Sequence, residues 1–145
     1  MDLIQTRVHE LYWNDDINCA RAMLLSLGEL FQMRIERQAI NGAIGLHGAG
    51  GFRAQCGLVE GALIFIGIYY SEMGKSEDDI ISICYQYADE FTLKFTSLQC
   101  YDLRPNGFTL IDPPHLCEKI TCEAIEFARD FINKINSSKF NRSIV

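Results

Sequence analysis

Cys56-Gly57-Leu58-Val59-Glu60-Gly61-Ala62-Leu63-Ile64-Phe65-Ile66-Gly67-Ile68-Tyr69-Tyr70 holds the longest apolar run of the chain, Leu58 to Tyr70, interrupted only by Glu60, Gly61 and Gly67. A transmembrane helix needs about 20 mostly apolar residues. This run is too short to span a bilayer and reads as a buried helix. Gly57 and Gly61 stand four apart and put two small residues on one face, where a second helix approaches closely. A mostly apolar helix must be covered on all sides. The flanking sequence supplies the cover.

Immediately before it lies the one conspicuous loop, His47-Gly48-Ala49-Gly50-Gly51-Phe52-Arg53-Ala54-Gln55. Its three closely spaced glycines imply positive φ or a close backbone approach. A short helical piece is expected from Glu36 to about Leu46. Upstream, Asp15 and Asp16 precede Ile17, Ala20, Met23, Leu24, Leu27 and Phe31, whose three- and four-residue steps mark an amphipathic helix. Leu3, Val8, Leu11 and Tyr12 indicate a short opening helix. Downstream, Ser76 with Asp79 three residues on is a helix start, with acids over the positive helix end. Ile80, Ile83, Cys84, Tyr87 and Phe91 form the inner stripe of that helix. Asp112-Pro113 is expected to open the last helix, striped by Cys117, Ile120, Ala124, Phe127 and Phe131. Between the two lies the loop Ser97 to Ile111. Phe108 to Ile111 is the one extended-looking segment, and one segment makes no sheet. The polar residues from about 136 to 145 read as a frayed tail. The expectation is all-α: a single domain over residues 1–145, folded as a bundle of five to six helices.

Composition agrees. With 145 residues, 48% hydrophobic and 22% charged, the chain has the balance of an ordinary globular domain. Its formal net charge of −6, with no basic cluster, argues against nucleic acid and against insertion into or attraction to an anionic membrane. The N-terminal residues lack a basic region, an apolar core and a cleavage site, so the expected compartment is the reducing cytoplasm. Tyr69 and Tyr70 are candidates for contact with a second copy, as in a homodimer.

Cysteines dominate the reactive inventory. The six, at 19, 56, 84, 100, 117 and 122, are well below the roughly 8–10% of disulfide scaffolds. There is no C-x-x-C pair, so a zinc ribbon or a ferredoxin-type run is absent. Cys117 and Cys122 lie about 140° apart around a helix and do not ligate one ion together. Any shared site must gather thiols from distant parts of the chain. Cys84 and Cys122 fall mid-helix, where free Cys behaves as a small hydrophobe. Cys19, Cys56 and Cys117 fall in first helical turns, which favour the thiolate, and Cys100 falls in a loop. A nucleotide loop is not indicated, because Gly48-Ala49-Gly50-Gly51 lacks both the spacing and a preceding strand. No G-x-S-x-G, H-E-x-x-H or Walker lysine is present. Glu60, His47 and His115 are secondary candidates for proton or ligand roles.

Asn18-Cys19-Ala20-Arg21-Ala22, the glycine loop, and Cys56-Gly57-Leu58-Val59-Glu60-Gly61-Ala62 together resemble the C-GCAxxG-C-C family of redox-active proteins. Cys100-Tyr101-Asp102-Leu103 is similar to that family's third cysteine segment, and Cys117 to its fourth cysteine. The likeness covers roughly residues 17 to 132. Leu58 stands where the central motif usually has Ala. The resemblance implies a helical protein in which Cys19, Cys56, Cys100 and Cys117 act together. Two chemistries fit four thiolates. They hold an iron–sulfur cluster or another metal, with hydrogen bonds from the Gly48–Gly51 loop tuning the sulfurs, or they cycle between dithiol and disulfide. Gly50, Gly51 and Gly57 are the expected cofactor-facing backbone positions. On this reading the chain is an oxidoreductase or an electron carrier with a redox partner protein. The alternative is a non-catalytic helical interaction module with reduced core cysteines or a structural zinc site.

Overall fold

The computed structural model describes residues 2–104 and 114–138. Five long helices carry the fold: α1 (Leu3–Trp13), α2 (Cys19–Leu30), α5 (Gly57–Glu72), α6 (Glu77–Phe95) and α8 (Glu118–Ser137). Three short pieces join them, α3 (Arg37–Gly42), α4 (Gly48–Gly51) and α7 (Cys100–Leu103), and a 3-10 turn over Pro114–Cys117 leads into α8. Among the described residues there is no strand, only an isolated bridge between Gln55 and Gln99. The all-α expectation holds.

The apolar helix α5 is the centre. Leu58, Val59, Ala62, Phe65, Ile66 and Tyr70 are buried on it, and α2, α6 and α8 cover it. The glycine pair does what its spacing predicts. A Cβ on Gly57 would overlap the Cys19 sulfur and stand 2.9 Å from both Ala20 N and Leu46 O. A Cβ on Gly61 would overlap Ala20 O and stand 3.0 Å from Met23 Cβ. Backbone-to-backbone approach at these two points presses the first turns of α2 and α5 together.

Capping sets where the helices begin. In α2 the cap is Asn18, whose Oδ1 accepts the Arg21 N–H at 2.9 Å, so the helix starts after the acids at 15 and 16. At α6, Ser76 Oγ accepts the Asp79 N–H at 3.1 Å, and Ile83, Tyr87 and Phe91 are buried while Ile80 and Cys84 are half-buried. Ser76→Ala is expected to cost about 1 kcal/mol, read as a lower urea midpoint at unchanged m-value.

Two expectations change. The piece expected from Glu36 to Leu46 is helical only to Gly42, and a series of tight turns follows. The polar tail begins later than 136, because Asn136 is anchored. Tyr70 donates its hydroxyl proton to Asn136 Oδ1 at 2.9 Å, Asn136 Nδ2 donates to the Tyr69 hydroxyl at 3.1 Å, and α8 continues to Ser137. Those bonds also cover the two tyrosines within the chain, where Tyr69 packs on Phe31 and Phe65. The expected cap at Asp112-Pro113, the extended segment at 108–111 and the tail beyond 138 lie outside the described residues.

Candidate functional site

All four cysteines singled out in the sequence stand at helix starts. Cys19 is the first residue of α2 and Cys56 the N-cap of α5. Cys100 opens α7, and Cys117 ends the 3-10 turn as the N-cap of α8. The close approach of α2 to α5 lays the Cys19 sulfur against Gly57, the neighbour of Cys56. The extended residues 54–56 run beside 98–100. Cys56 N–H donates to Leu98 O at 2.8 Å, and Cys100 N–H donates to Ala54 O at 2.8 Å. This pairing brings Cys100 to the head of α5, with its Cβ 3.1 Å from where a side chain on Gly48 would begin.

All six cysteines are free thiols. Cys19, Cys56 and Cys100 are 9%, 6% and 8% exposed, and Cys117 is half-buried. Several of them lie close enough for charge on one to disfavour the thiolate of another. Charge on Cys56, Cys117 or Cys100 disfavours a thiolate at Cys19, and charge on Cys100 or Cys117 disfavours one at Cys56. Cys84 and Cys122 stand apart from this set. Burial raises Cys84, and burial with the carboxylates of Glu118, Asp2, Glu126 and Glu123 pushes Cys122 up to about 11. No other cysteine is among the largest influences on either.

First-turn placement was expected to lower the thiol pKa, and the net shift goes the other way. Burial pushes Cys56 up to about 12, although the Leu58 and Val59 N–H groups at the head of α5 favour its thiolate. Cys19 is raised further, by burial and then by the neighbouring sulfurs, against the Ala20 N–H. Desolvation outweighs the helix end. Burial also raises Cys100, where the Arg104 and Arg53 guanidiniums oppose it. A thiol held protonated in the fold stabilises it below the unfolded pKa near 9, and that contribution is lost as pH rises toward the folded value. Stability of the reduced protein should therefore fall by about 1.4 kcal/mol per pH unit per buried thiol above about pH 9. Urea unfolding at pH 8 and pH 10 checks this.

Sequence reading gave no site role to three supporting residues, Asn18, Tyr12 and Thr121, because their contacts are tertiary. Asn18 is buried, and its Nδ2 donates to Ala43 O at 3.0 Å and Ile44 O at 2.7 Å, with His47 Nδ1 at 3.2 Å. It ties the Cys19 helix start to the turns that lead into the glycine loop. Asn18→Asp keeps the helix cap and loses both donations. We expect it to cost about 2 kcal/mol, measured by urea unfolding. Tyr12 and Thr121 are also buried and share a 2.6 Å hydroxyl–hydroxyl hydrogen bond. Burial, and then charge on Cys19, hold the Tyr12 phenol well above its usual range.

The glycine loop has an unforeseen role. Gly48, Ala49, Gly50 and Gly51 all take positive φ, and the Gly50 and Gly51 N–H groups donate to Gly45 O and His47 O. Those two donors are spent within the turns; the N–H groups facing Cys56 come from Leu58 and Val59. Glu60 is half-buried and hydrogen-bonded by Gln55 Nε2. The side chain of His115 lies outside the described part.

Four thiols are a donor set suited to an iron–sulfur cluster or zinc. As placed, however, no three His, Cys, Asp or Glu side chains among the described residues are gathered to hold one metal ion. Among the described residues, no helix is long and apolar enough to cross a membrane. Comparison with curated proteins and with solved structures returned no significant match. A family model described as "Putative redox-active protein (C_GCAxxG_C_C)" matches residues 17–131, which span all four cysteines of the locus and most of the bundle around them. The match covers most of the chain, which therefore belongs to the C-GCAxxG-C-C family of redox-active proteins.

Proposed function

We propose that Cys19, Cys56, Cys100 and Cys117 form one redox centre that stores electron pairs as sulfur–sulfur bonds. In the step, two thiols lose two protons and two electrons and join as a disulfide, while a disulfide-class acceptor takes up the electrons. The observation that supports this reading is the packing that lays the Cys19 sulfur against Gly57 and pairs the backbone of Cys56 and Cys100 with the 98–100 and 54–56 segments, close enough that charge on Cys100 or Cys117 disfavours a thiolate at both Cys19 and Cys56. The bundle's part is to hold the thiols reduced and shielded until a partner engages them. Such a centre suits an oxidoreductase or electron carrier of a reducing cytoplasm.

A cluster held by the same sulfurs is the second reading. Two facts favour it: there are two thiols more than one disulfide needs, and burial keeps them protonated until a metal displaces the protons. When bound, such a cluster would supply one-electron transfer.

Purification without oxygen, with iron, zinc, acid-labile sulfide and free thiols counted per chain, separates the readings. Thiol cycling predicts six free thiols, no metal, and a drop to four or two on mild oxidation that dithiothreitol reverses. Iron with sulfide near stoichiometry would instead establish the cluster. Zinc alone would make the site structural. Six thiols inert to oxidation, with no metal, would return the chain to a plain interaction module.

A further inference from the structure

Two arginines sit at the mouth of the thiol locus, in a chain that is acidic overall. Arg53 lies opposite Tyr101 across the Gln55–Gln99 bridge, where Tyr101 N–H donates to Arg53 O at 3.3 Å. Its guanidinium stands 5.8 Å from the Tyr101 ring centroid. Arg104 follows Cys100 by one helical turn, and its N–H donates to Cys100 O at 3.3 Å. Both guanidiniums act on the Cys100 sulfur, and Arg104 also hydrogen-bonds it. Asp102, the carboxylate on the same short helix, accepts from Ser97 Oγ at 2.7 Å and is not among the groups acting on Cys100. Phe52 and Tyr101, 82% and 60% exposed, flank the same edge. At Cys19 and Cys56 the largest influences besides burial are other sulfurs and backbone N–H groups.

From this arrangement we infer that the centre exchanges electrons with disulfides flanked by carboxylates, and that Cys100 is the sulfur they meet. The inference rests on the thiol-cycling reading and names its substrate class. The Cys100 thiolate attacks one sulfur of the disulfide, forming a mixed disulfide and releasing the first substrate thiolate. A second thiol of the centre then attacks Cys100, releasing the other substrate thiolate and leaving an internal disulfide. Two protein thiols give up two protons and two electrons, and the substrate leaves as two thiols. Arg53 and Arg104 hold the substrate carboxylates beside the attacked sulfur and favour the anionic sulfurs that form there.

The test compares three disulfides on the reduced full chain: 3,3′-dithiodipropionate (dianion), hydroxyethyl disulfide (neutral) and cystamine (dication). Second-order rate constants are read from thiol release in low and in 0.5 M salt. We expect the dianion to outpace the neutral compound by about tenfold and the dication by more, with both ratios falling toward one in high salt. Arg53→Gln with Arg104→Gln should bring the dianion-to-neutral ratio near one, and Lys at both positions should restore most of it. A dianion no faster than the dication in wild-type protein would overturn the charge preference while leaving thiol cycling standing. Equal slowing of all three by the Gln pair would also overturn it, making the arginines structural. No reaction with any of the three would overturn thiol exchange itself.

Discussion

Gly61→Ala is expected to destabilise the protein by about 3 kcal/mol or more, whereas Gly67→Ala on the same helix should stabilise it by up to about 1 kcal/mol. Both changes add one methyl group and remove the same backbone entropy from the unfolded chain. At Gly67 nothing lies within 4 Å of the added carbon, so the helix-propensity gain stands alone. At Gly61 the carbon overlaps the Ala20 carbonyl, a backbone atom that no rotamer change moves aside. α2 and α5 must separate, and interior repacking of that kind costs about 1–3 kcal/mol or more. Because the same contact seats Cys19 beside Cys56, Gly61→Ala should also slow the reversible oxidation of the thiols. Urea midpoints for the two variants test the packing. Equal midpoints would mean the helices do not touch there.

Cys56→Ser should leave the fold almost intact and remove at least two of the reversibly oxidised thiols. Position 56 is the N-cap of α5, with the Leu58 and Val59 N–H groups around its sulfur. Serine is a preferred N-cap whose oxygen accepts such N–H groups, so stability should change by no more than about 1 kcal/mol. The hydroxyl forms neither a disulfide nor a thiolate bond to metal. Cys84→Ser and Cys122→Ser serve as controls and should keep the full reversible oxidation. Thiol counts before and after mild oxidation decide the matter. Full oxidation capacity in Cys56→Ser would remove that residue from the centre and favour the interaction-module reading.

The fold was legible because its strongest sequence signals are local. The run Leu58–Tyr70 announced the central helix, although Leu63, Ile64, Ile68 and Tyr69 on it are only half-buried, and Gly57 and Gly61 announced where its neighbour would press. Ser76 and Asp79 marked the start of α6 to the residue. Legibility failed where long-range contacts overrode local preference. Asn136 reads as a polar tail residue until Tyr69 and Tyr70, far away in sequence, hydrogen-bond it. Position and family pattern single out the thiol set, but not its protonation. First-turn placement predicts activated thiols, and only the packing reveals that burial wins. Arg53, Arg104 and Asn18 reach the site through a two-residue bridge and a tertiary cap, neither of which has a sequence signature.

The central claim is that four particular sulfurs of the six act together. Peptide-level mapping of the full chain, alkylated before and after mild oxidation, tests it most directly. We predict that every disulfide formed joins two of Cys19, Cys56, Cys100 and Cys117, that dithiothreitol reverses it, and that Cys84 and Cys122 stay alkylatable throughout. A disulfide engaging Cys84 or Cys122, formed at comparable yield, would contradict it.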